Sequence, residues 1–536
     1  MLNQAEVYRL FGEIDRMPGI MEPRIGRWRA WPMAKMQLLW NLMHAPSSDS
    51  EREGISLLRK ASRKLPVYAA AWTSRRPNGG ARGGAIGMLY APRMHRFRDG
   101  RLRDFIFGEL LAGAGLQHPV VPLRHHLVAD RSPAASGRID LAPYHARGEQ
   151  LALVLMLDSR LRRTAAALNT RLGRTDIPLA AKTRGRKILL ALALFEAKRR
   201  IFSRLFTRLG LRALIVSYAP GRCAEIAAAC ERGLPVLELQ HGVIGSRCPD
   251  YAWPYELRPY KGEMPLPDRI AVFGPAFRDL VLRSGFWSPA EVVATGAAAI
   301  EAYRSSVPAG ERRSGPLRLV FMTQAPARAA AIAFWRELAT SPAFAARGYH
   351  VVLKIHPEEA EHTEVYRDLL AVAPQRFSLV AADTNPIDAM LAADVVISYN
   401  SMALIEALAL GRAAVSICGG PIPQGFAGSF GLPDIVAAMP HVTSPTTLLQ
   451  MLADRAEGER RLAQWHAEAQ HAGRDYFCDG FTANTVAVIN ELVPAVTPPQ
   501  ERLILRSDPG LDSGQRLESC FETRTSCALQ HEDVTH

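Results

Sequence analysis

From Leu211 onward the chain alternates short apolar runs with longer amphipathic ones. The apolar runs are rich in Val, Ile and Leu and end in Gly, Pro or small polar residues. They predict buried strands at 213–217, 236–239, 269–273 and 292–295, with helices at 222–232 and 275–284 between them. A polar segment with Pro and Gly at 305–315, SSVPAGERRSG, reads as a linker. A second series follows. It has strands at 317–322, 350–355, 377–380, 395–397 and 413–417, and helices at 325–338, 359–372, 386–392, 402–410, 446–457 and 459–472. Strands alternating with helices at this rhythm build parallel sheets covered on both faces. The fold class expected is therefore α/β, with two doubly wound Rossmann-like domains facing a cleft. One spans residues 1–304 and the other 316–495, followed by a polar tail at 496–536 expected to be poorly ordered.

The first 150 residues carry a weaker pattern. A helix is expected over 51–65 and strands over 67–72 and 85–90, with a Gly-rich loop, RRPNGGARGGAIG, across 75–87. That loop matches neither a P-loop nor GxGxxG. PRMHRFRDG at 92–100 reads as a basic loop, followed by a helix from about residue 101. Arg93 and His95 in that loop, with Arg222, are candidates for an anionic acceptor. A solvated basic loop is the competing description.

In an open parallel sheet, ligands bind at the carboxyl ends of the strands. In the first domain those ends carry His241, with Tyr218 and Arg222 as further candidates. In the second they carry Thr323, Gln324, Lys354, His356, Ser398, Asn400 and Ser401. The stretch ADVVISYNSMALIEALALG at 393–411 reads as a buried strand, a polar turn and a helix stopped at Gly411. Asn400 or Ser401 caps that helix, whose free N–H groups and dipole suit a phosphate. An ordinary well-capped turn is the alternative. In KIHP, Lys354 and His356 share a strand face, and Pro357 ends the ladder after His356. His356 is placed to hydrogen-bond or protonate a departing phosphate. His241 follows an apolar strand, and Gly242 lets the chain turn after it, which suits a general base. Structural histidines are the competing reading for both. Glu406 stands alone in an apolar helix, positioned either to hold ribose hydroxyls or to face water.

Composition changes the picture in three ways. The chain has 536 residues, 48% of them hydrophobic and 22% charged, enough for two large domains. Its seven cysteines show no CxxC pair, so reduced thiols in a cytoplasmic protein are expected. The first 17 residues carry three acids and no apolar core, unlike a signal peptide, and no apolar run has the length of a membrane span. The net charge is +13 and uneven: 182–212 holds ten Lys or Arg against one acid, Glu196. Leu192, Phe195, Phe202, Phe206 and Leu209 recur there at helical spacing, with Arg200, Arg204 and Arg208 four apart. Such a helix over 186–209 either lies on an anionic membrane surface or packs its apolar side on the core. A nucleic-acid partner is not expected, because the basic residues lack interleaved aromatics on a sheet or a reading helix. No Asp-x-Asp and no His/Cys cluster occurs, so no metal or other cofactor is expected.

KIHP followed by SYNSMALIEALALG resembles the carboxyl-terminal domain of GT-B glycosyltransferases of bacterial surface and capsular polysaccharide synthesis. The sialyltransferases and Kdo transferases share an HP motif and a later serine motif at the nucleotide phosphate. EALALGRAAV resembles the glutamate segment of wider GT-B enzymes, and LQHGVIG the HG motif of the CDP-glycerol glycerophosphotransferases. The resemblance covers roughly residues 211–420. It implies a metal-independent, inverting transferase that moves a sugar from a nucleotide sugar to a polysaccharide or glycolipid at the cytoplasmic membrane face. By the same resemblance His356 and Ser401 contact donor phosphate, Glu406 the ribose, and His241 activates the acceptor. Two departures stand out. Asp99-Gly100 is only a distant counterpart of the sialyltransferase acidic motif, and Asn400 replaces the first of the paired serines of the teichoic enzymes. A sugar-nucleotide 2-epimerase-like enzyme and a non-catalytic glycan- or lipid-binding partner of an assembly complex are the competing readings.

Overall fold

The computed structural model describes residues 4–43, 84–91, 94–97, 100–125, 138–304, 317–399, 401–418, 439–452, 464, 467–468, 471 and 473–494. The helix and strand expected at 51–65 and 67–72, most of the Gly-rich loop, the 305–315 linker, most of 459–472 and the tail lie outside the described residues. So do Arg93, Asp99 and Asn400.

The first sheet has seven parallel strands: β1 (Ala85–Tyr90), β2 (Val120–Arg124), β3 (Ile139–Asp140), β4 (Leu211–Ser217), β5 (Val236–Leu239), β6 (Arg269–Val272) and β7 (Val292–Ala294). Their spatial order is β7-β6-β5-β4-β1-β2-β3. Alternate residues enter two different cores. Leu89, Leu214 and Val216 pack with Phe202, Phe206 and Ile226 on one face, whereas Met88, Ala213 and Ile215 pack with Phe107, Phe481 and Ile489 on the other. Both faces are covered, which is why these strands read as continuous apolar runs.

The second sheet has six strands: β8 (Leu317–Met322), β9 (Tyr349–Lys354), β10 (Phe377–Val380), β11 (Val395–Ser398), β12 (Ala413–Ile417) and β13 (His441–Val442). They are all parallel, in the order β10-β9-β8-β11-β12-β13. Counted from its own first strand this is 3-2-1-4-5-6, the doubly wound dinucleotide-binding order. Phe321, Leu353 and Ile397 face Trp335 and Leu369. Val320, Val352 and Val396 face the core shared with Ile300 and Tyr303 of the helix Ala298–Arg304. The Asn385 side-chain amide donates to the Tyr303 hydroxyl (2.6 Å) and the Arg304 guanidinium to the Ala409 carbonyl (3.3 Å), so this helix joins the two sheets. The expectation of two doubly wound α/β domains holds.

Several local expectations are corrected. No helix starts at residue 101. Met94–Arg96 and Leu102–Asp104 pair as an antiparallel hairpin, turned at Gly100 (φ 78°) by the Gly100 N–H to the Phe97 carbonyl. The Asp104 carboxylate then accepts the N–H groups of Ile106 and Phe107, and this local bonding competes with a helix. Helix Cys223–Cys230 starts a residue later than read, after a 3-10 turn at Ala219–Arg222. The basic helix runs Ala181–Leu209, and Leu192, Phe195, Phe202, Phe206 and Leu209 are all buried in the core. Its apolar face is therefore closed to a membrane. The unread helix Phe481–Leu492 returns to the first sheet, where Phe481 and Ile489 join Ile86 and Met88 and Glu491 forms a bidentate pair with Arg269 (2.7 Å each). The end of the 316–495 span thus packs with the first lobe. Among the described residues no helix is long and apolar enough to cross a membrane.

Candidate functional site

In the second sheet the order reverses between β8 and β11. The carboxyl ends there carry Thr323-Gln324 and Ser398 to Ser401, the residues read as donor-side candidates. Thr323 is buried. Its hydroxyl oxygen accepts the His356 N–H (2.8 Å), and its own N–H donates to the Lys354 carbonyl (3.1 Å). Thr323 therefore works inward, holding the HP turn against β8. Ser398 also points inward, donating to the Met322 carbonyl (2.8 Å) across the switch point. Gln324 occupies the cap position of the short turn Ala325–Ala327 and is half-buried.

His356 occupies the cap position before Pro357–His362, with its side chain 45% exposed. Its Nδ1 accepts the Glu358 N–H (3.2 Å). A neutral ring held this way carries its proton on Nε2, which makes Nε2 the donor. Beneath the turn, Glu359 is fully buried; its Oε1 accepts from the Tyr366 hydroxyl (2.8 Å) and from Arg328 Nε (3.0 Å). This network fixes the turn from below.

Lys354 shares the strand with His356 but does not present its charge at the surface. It is buried, and its Nζ donates to the carbonyls of Ile355 (2.8 Å) and Ala382 (3.1 Å). Burial lowers its pKa to about 8, with Asp383 acting the other way. Lys354 clamps the turn. Ser401 caps Met402–Ala409, its Oγ accepting the Ala403 N–H (3.2 Å). Glu406 is half-buried on that helix, and Gly411 (φ 65°) follows its end.

In the first sheet the order reverses between β1 and β4, so the switch point lies at Tyr90 and Ser217-Tyr218. Among the described residues Tyr218 is the non-glycine with positive φ (58°, ψ 66°). Gly221 leaves room for its ring: a Cβ there would lie 2.8 Å from Tyr218 Cδ1. The Tyr218 ring packs on His241 with centroids 4.7 Å apart. The turn carrying His241 is held by buried Gln240, whose Nε2 donates to the Gly242 carbonyl (2.8 Å) and whose Oε1 accepts the Phe273 N–H (2.8 Å).

Behind this turn lie acids that pattern reading missed. Glu238 is fully buried on β5, where its Oε1 accepts from the Tyr251 hydroxyl (2.6 Å) and the Ala219 N–H (2.9 Å). Burial pushes its pKa up to about 7, against those two hydrogen bonds. Asp250 is pushed up to about 6 by burial, opposed by Lys35, Tyr218 and Cys248. Both line a cavity of about 20 Å³ with Ala219, Cys223 and Trp253, room for about one water. The signal for Glu238 was present, as a lone acid inside the apolar run VLEL.

Arg222 is buried, and burial pulls its pKa down, with Glu225 acting the other way. It is not an open anion site. His95 lies on the 94–96 strand, its ring edge-on to Phe105 at 5.4 Å. The structure thus puts Thr323, Lys354 and His356 in one bonded unit. Ser401 stands across the switch point, and His241 and Tyr218 form a separate unit on the other lobe.

No family model matches the chain, and no curated protein matches it. Solved structures do resemble it. A putative UDP-N-acetylglucosamine 2-epimerase from Listeria monocytogenes is 14% identical at TM-score 0.46, covering 76% of this chain and 96% of its own. MurG from Acinetobacter baumannii is 15% identical at TM-score 0.39, covering 76% and 99%. The wall teichoic acid polymerase TagF is 9% identical at TM-score 0.42, covering 86% and 96%.

Proposed function

We propose that this chain is a GT-B glycosyltransferase that moves a sugar from a nucleotide-activated donor to a surface polysaccharide or glycolipid acceptor, without a metal and with inversion. One observation carries the reading. The second sheet has the 3-2-1-4-5-6 order, and its switch point bears a capped helix start at Ser401, with the His356 turn bonded to Thr323 beside it.

In this reading the donor phosphate sits at the N-terminus of Met402–Ala409 and receives the Nε2–H of His356. Glu406, one turn further along, takes the ribose hydroxyls. His241, packed on Tyr218, accepts the proton of the acceptor hydroxyl as that oxygen bonds to the anomeric carbon. The bond from that carbon to phosphate breaks, and the leaving nucleotide keeps the electron pair. Its negative charge is met by the helix dipole and the imidazole N–H.

The test is donor binding and transfer with CMP-, UDP-, GDP- and CDP-linked sugars. His356→Ala and Ser401→Ala are expected to weaken donor binding by about tenfold or more, the value of a hydrogen bond to a charged group. His241→Ala is expected to bind donor like wild type and to lose about 100-fold or more in transfer. Wild-type turnover in both histidine variants overturns the assignment. Release of an epimerised nucleotide sugar without transfer replaces it with the epimerase reading.

A further inference from the structure

Three large apolar side chains left outside the core stand together at one corner of the first lobe. Leu153 is 66% exposed, Val154 64% and Leu157 69%. They occupy the end of helix Ala142–Leu155 and the turn leading into Ser159–Leu172. Leu153 and Leu157 line an open groove of about 610 Å³ whose other wall includes Arg162, Lys182 and Arg186. Those three cations are exposed. From 153 to 163 the chain has three arginines and one acid, Asp158. That acid caps the helix Ser159–Leu172, accepting the N–H groups of Arg160 (2.7 Å) and Leu161 (3.1 Å).

We propose that this corner docks on an anionic lipid bilayer. Leu153, Val154 and Leu157 enter the headgroup boundary, while Arg162, Lys182 and Arg186 meet lipid phosphates. Charge complementarity selects this occupant. The cations around the apolar tip continue along the helix Ala181–Leu209, which carries nine Lys or Arg against one acid, Glu196; Arg184 among them is buried, and Arg199 and Arg200 pair with Glu196. A broad field of one sign suits an extended anionic surface, and exposed leucines beside arginine stems suit its acyl boundary. The site differs from the apolar face expected at 186–209, which is buried. It does not depend on the transferase reading.

The experiment is cosedimentation of the full chain with phosphatidylcholine vesicles, with and without phosphatidylglycerol. Wild type is expected to pellet with anionic vesicles at low salt, to stay in solution with neutral ones, and to be released as salt rises. The variant Leu153→Asp/Leu157→Asp and the variant Arg162→Glu/Lys182→Glu/Arg186→Glu are each expected to reduce binding by about tenfold or more, with wild-type Tm because the altered residues are exposed. The proposal fails if wild type pellets with neither vesicle, or if both variants pellet like wild type. It also fails if the leucine variant leaves vesicle binding intact but abolishes a concentration-dependent dimer. That result would make the corner a contact between two copies.

Discussion

Glu238 shows how one residue acquires chemistry from its surroundings. A carboxyl with an ordinary pKa near 4.5 is pushed up to about 7 by burial, so the fold favours its protonated form. The sign follows from linkage. Between the unfolded and folded pKa values the folded chain binds more protons, so stability falls as pH rises through that window. Glu238→Gln keeps an acceptor for Tyr251 and Ala219 and removes the titration. Its Tm is expected to fall less than that of wild type between pH 5 and pH 8, and a shift of this size corresponds to roughly 3 kcal/mol. Parallel Tm curves for the two proteins would show that Glu238 does not titrate there. At this scale the sequence marked where side chains stand but not which way they point. Thr323 and Lys354 stand at strand ends as ligand-side candidates, yet both turn in to brace the His356 turn.

Among the elements, apolar strands of β-branched residues were legible because burial on both faces leaves no other pattern. β4, β5, β8, β11 and β12 lie within a residue or two of where the runs placed them. The 94–104 hairpin was not legible, because its three-residue strands, Met94–Arg96 and Leu102–Asp104, carry one apolar residue each and its turn depends on the Gly100 conformation. The basic helix was legible as a helix, but its amphipathicity could not say whether lipid or protein covered the apolar side. Close contacts between distant segments were invisible as well. A Cβ on Gly274 would lie 2.5 Å from the backbone carbonyl of Tyr476, and one on Gly296 would lie 2.6 Å from that of Cys478. Gly274→Ala is expected to push the returning segment off the first lobe and cost about 1–3 kcal/mol, read as a lower Tm. An unchanged Tm would mean that the segment yields freely.

For the whole molecule, the return of Phe481–Leu492 is the feature with the largest consequence. Phe481, Ile489 and Val493 complete a core with Ile86, Met88 and Ile215. The His118 ring nitrogen lies 3.1 Å from the Val493 carbonyl oxygen. Ending the chain before Gly473 exposes that face of the first sheet. Such a truncation is expected to lose cooperative unfolding of the first lobe and to aggregate, as size-exclusion chromatography and thermal melts would show. A soluble truncated chain with wild-type Tm would remove the helix from the first lobe's core. The return also covers the apolar residues of β1 and β4 on the side away from Ala181–Leu209, completing the doubly wound layer.

By itself the sequence determined the class of fold and the candidate positions for ligand chemistry. Strand runs alternating with helices dictate parallel sheets, and such sheets bind ligands at the carboxyl ends of their strands, so His241, His356 and Ser401 could be picked out as candidates. Tertiary structure decided the strand order, and with it the two switch points, because non-adjacent runs such as β1 and β4 carry no local mark of their pairing. It also decided which polar groups are buried enough to change their chemistry. Glu238 and Asp250 are ordinary acids in the sequence. They titrate nearer neutrality only because strands, a helix and the 248–267 segment exclude water from them together. Burial is a property of many distant residues at once, and no local pattern encodes it.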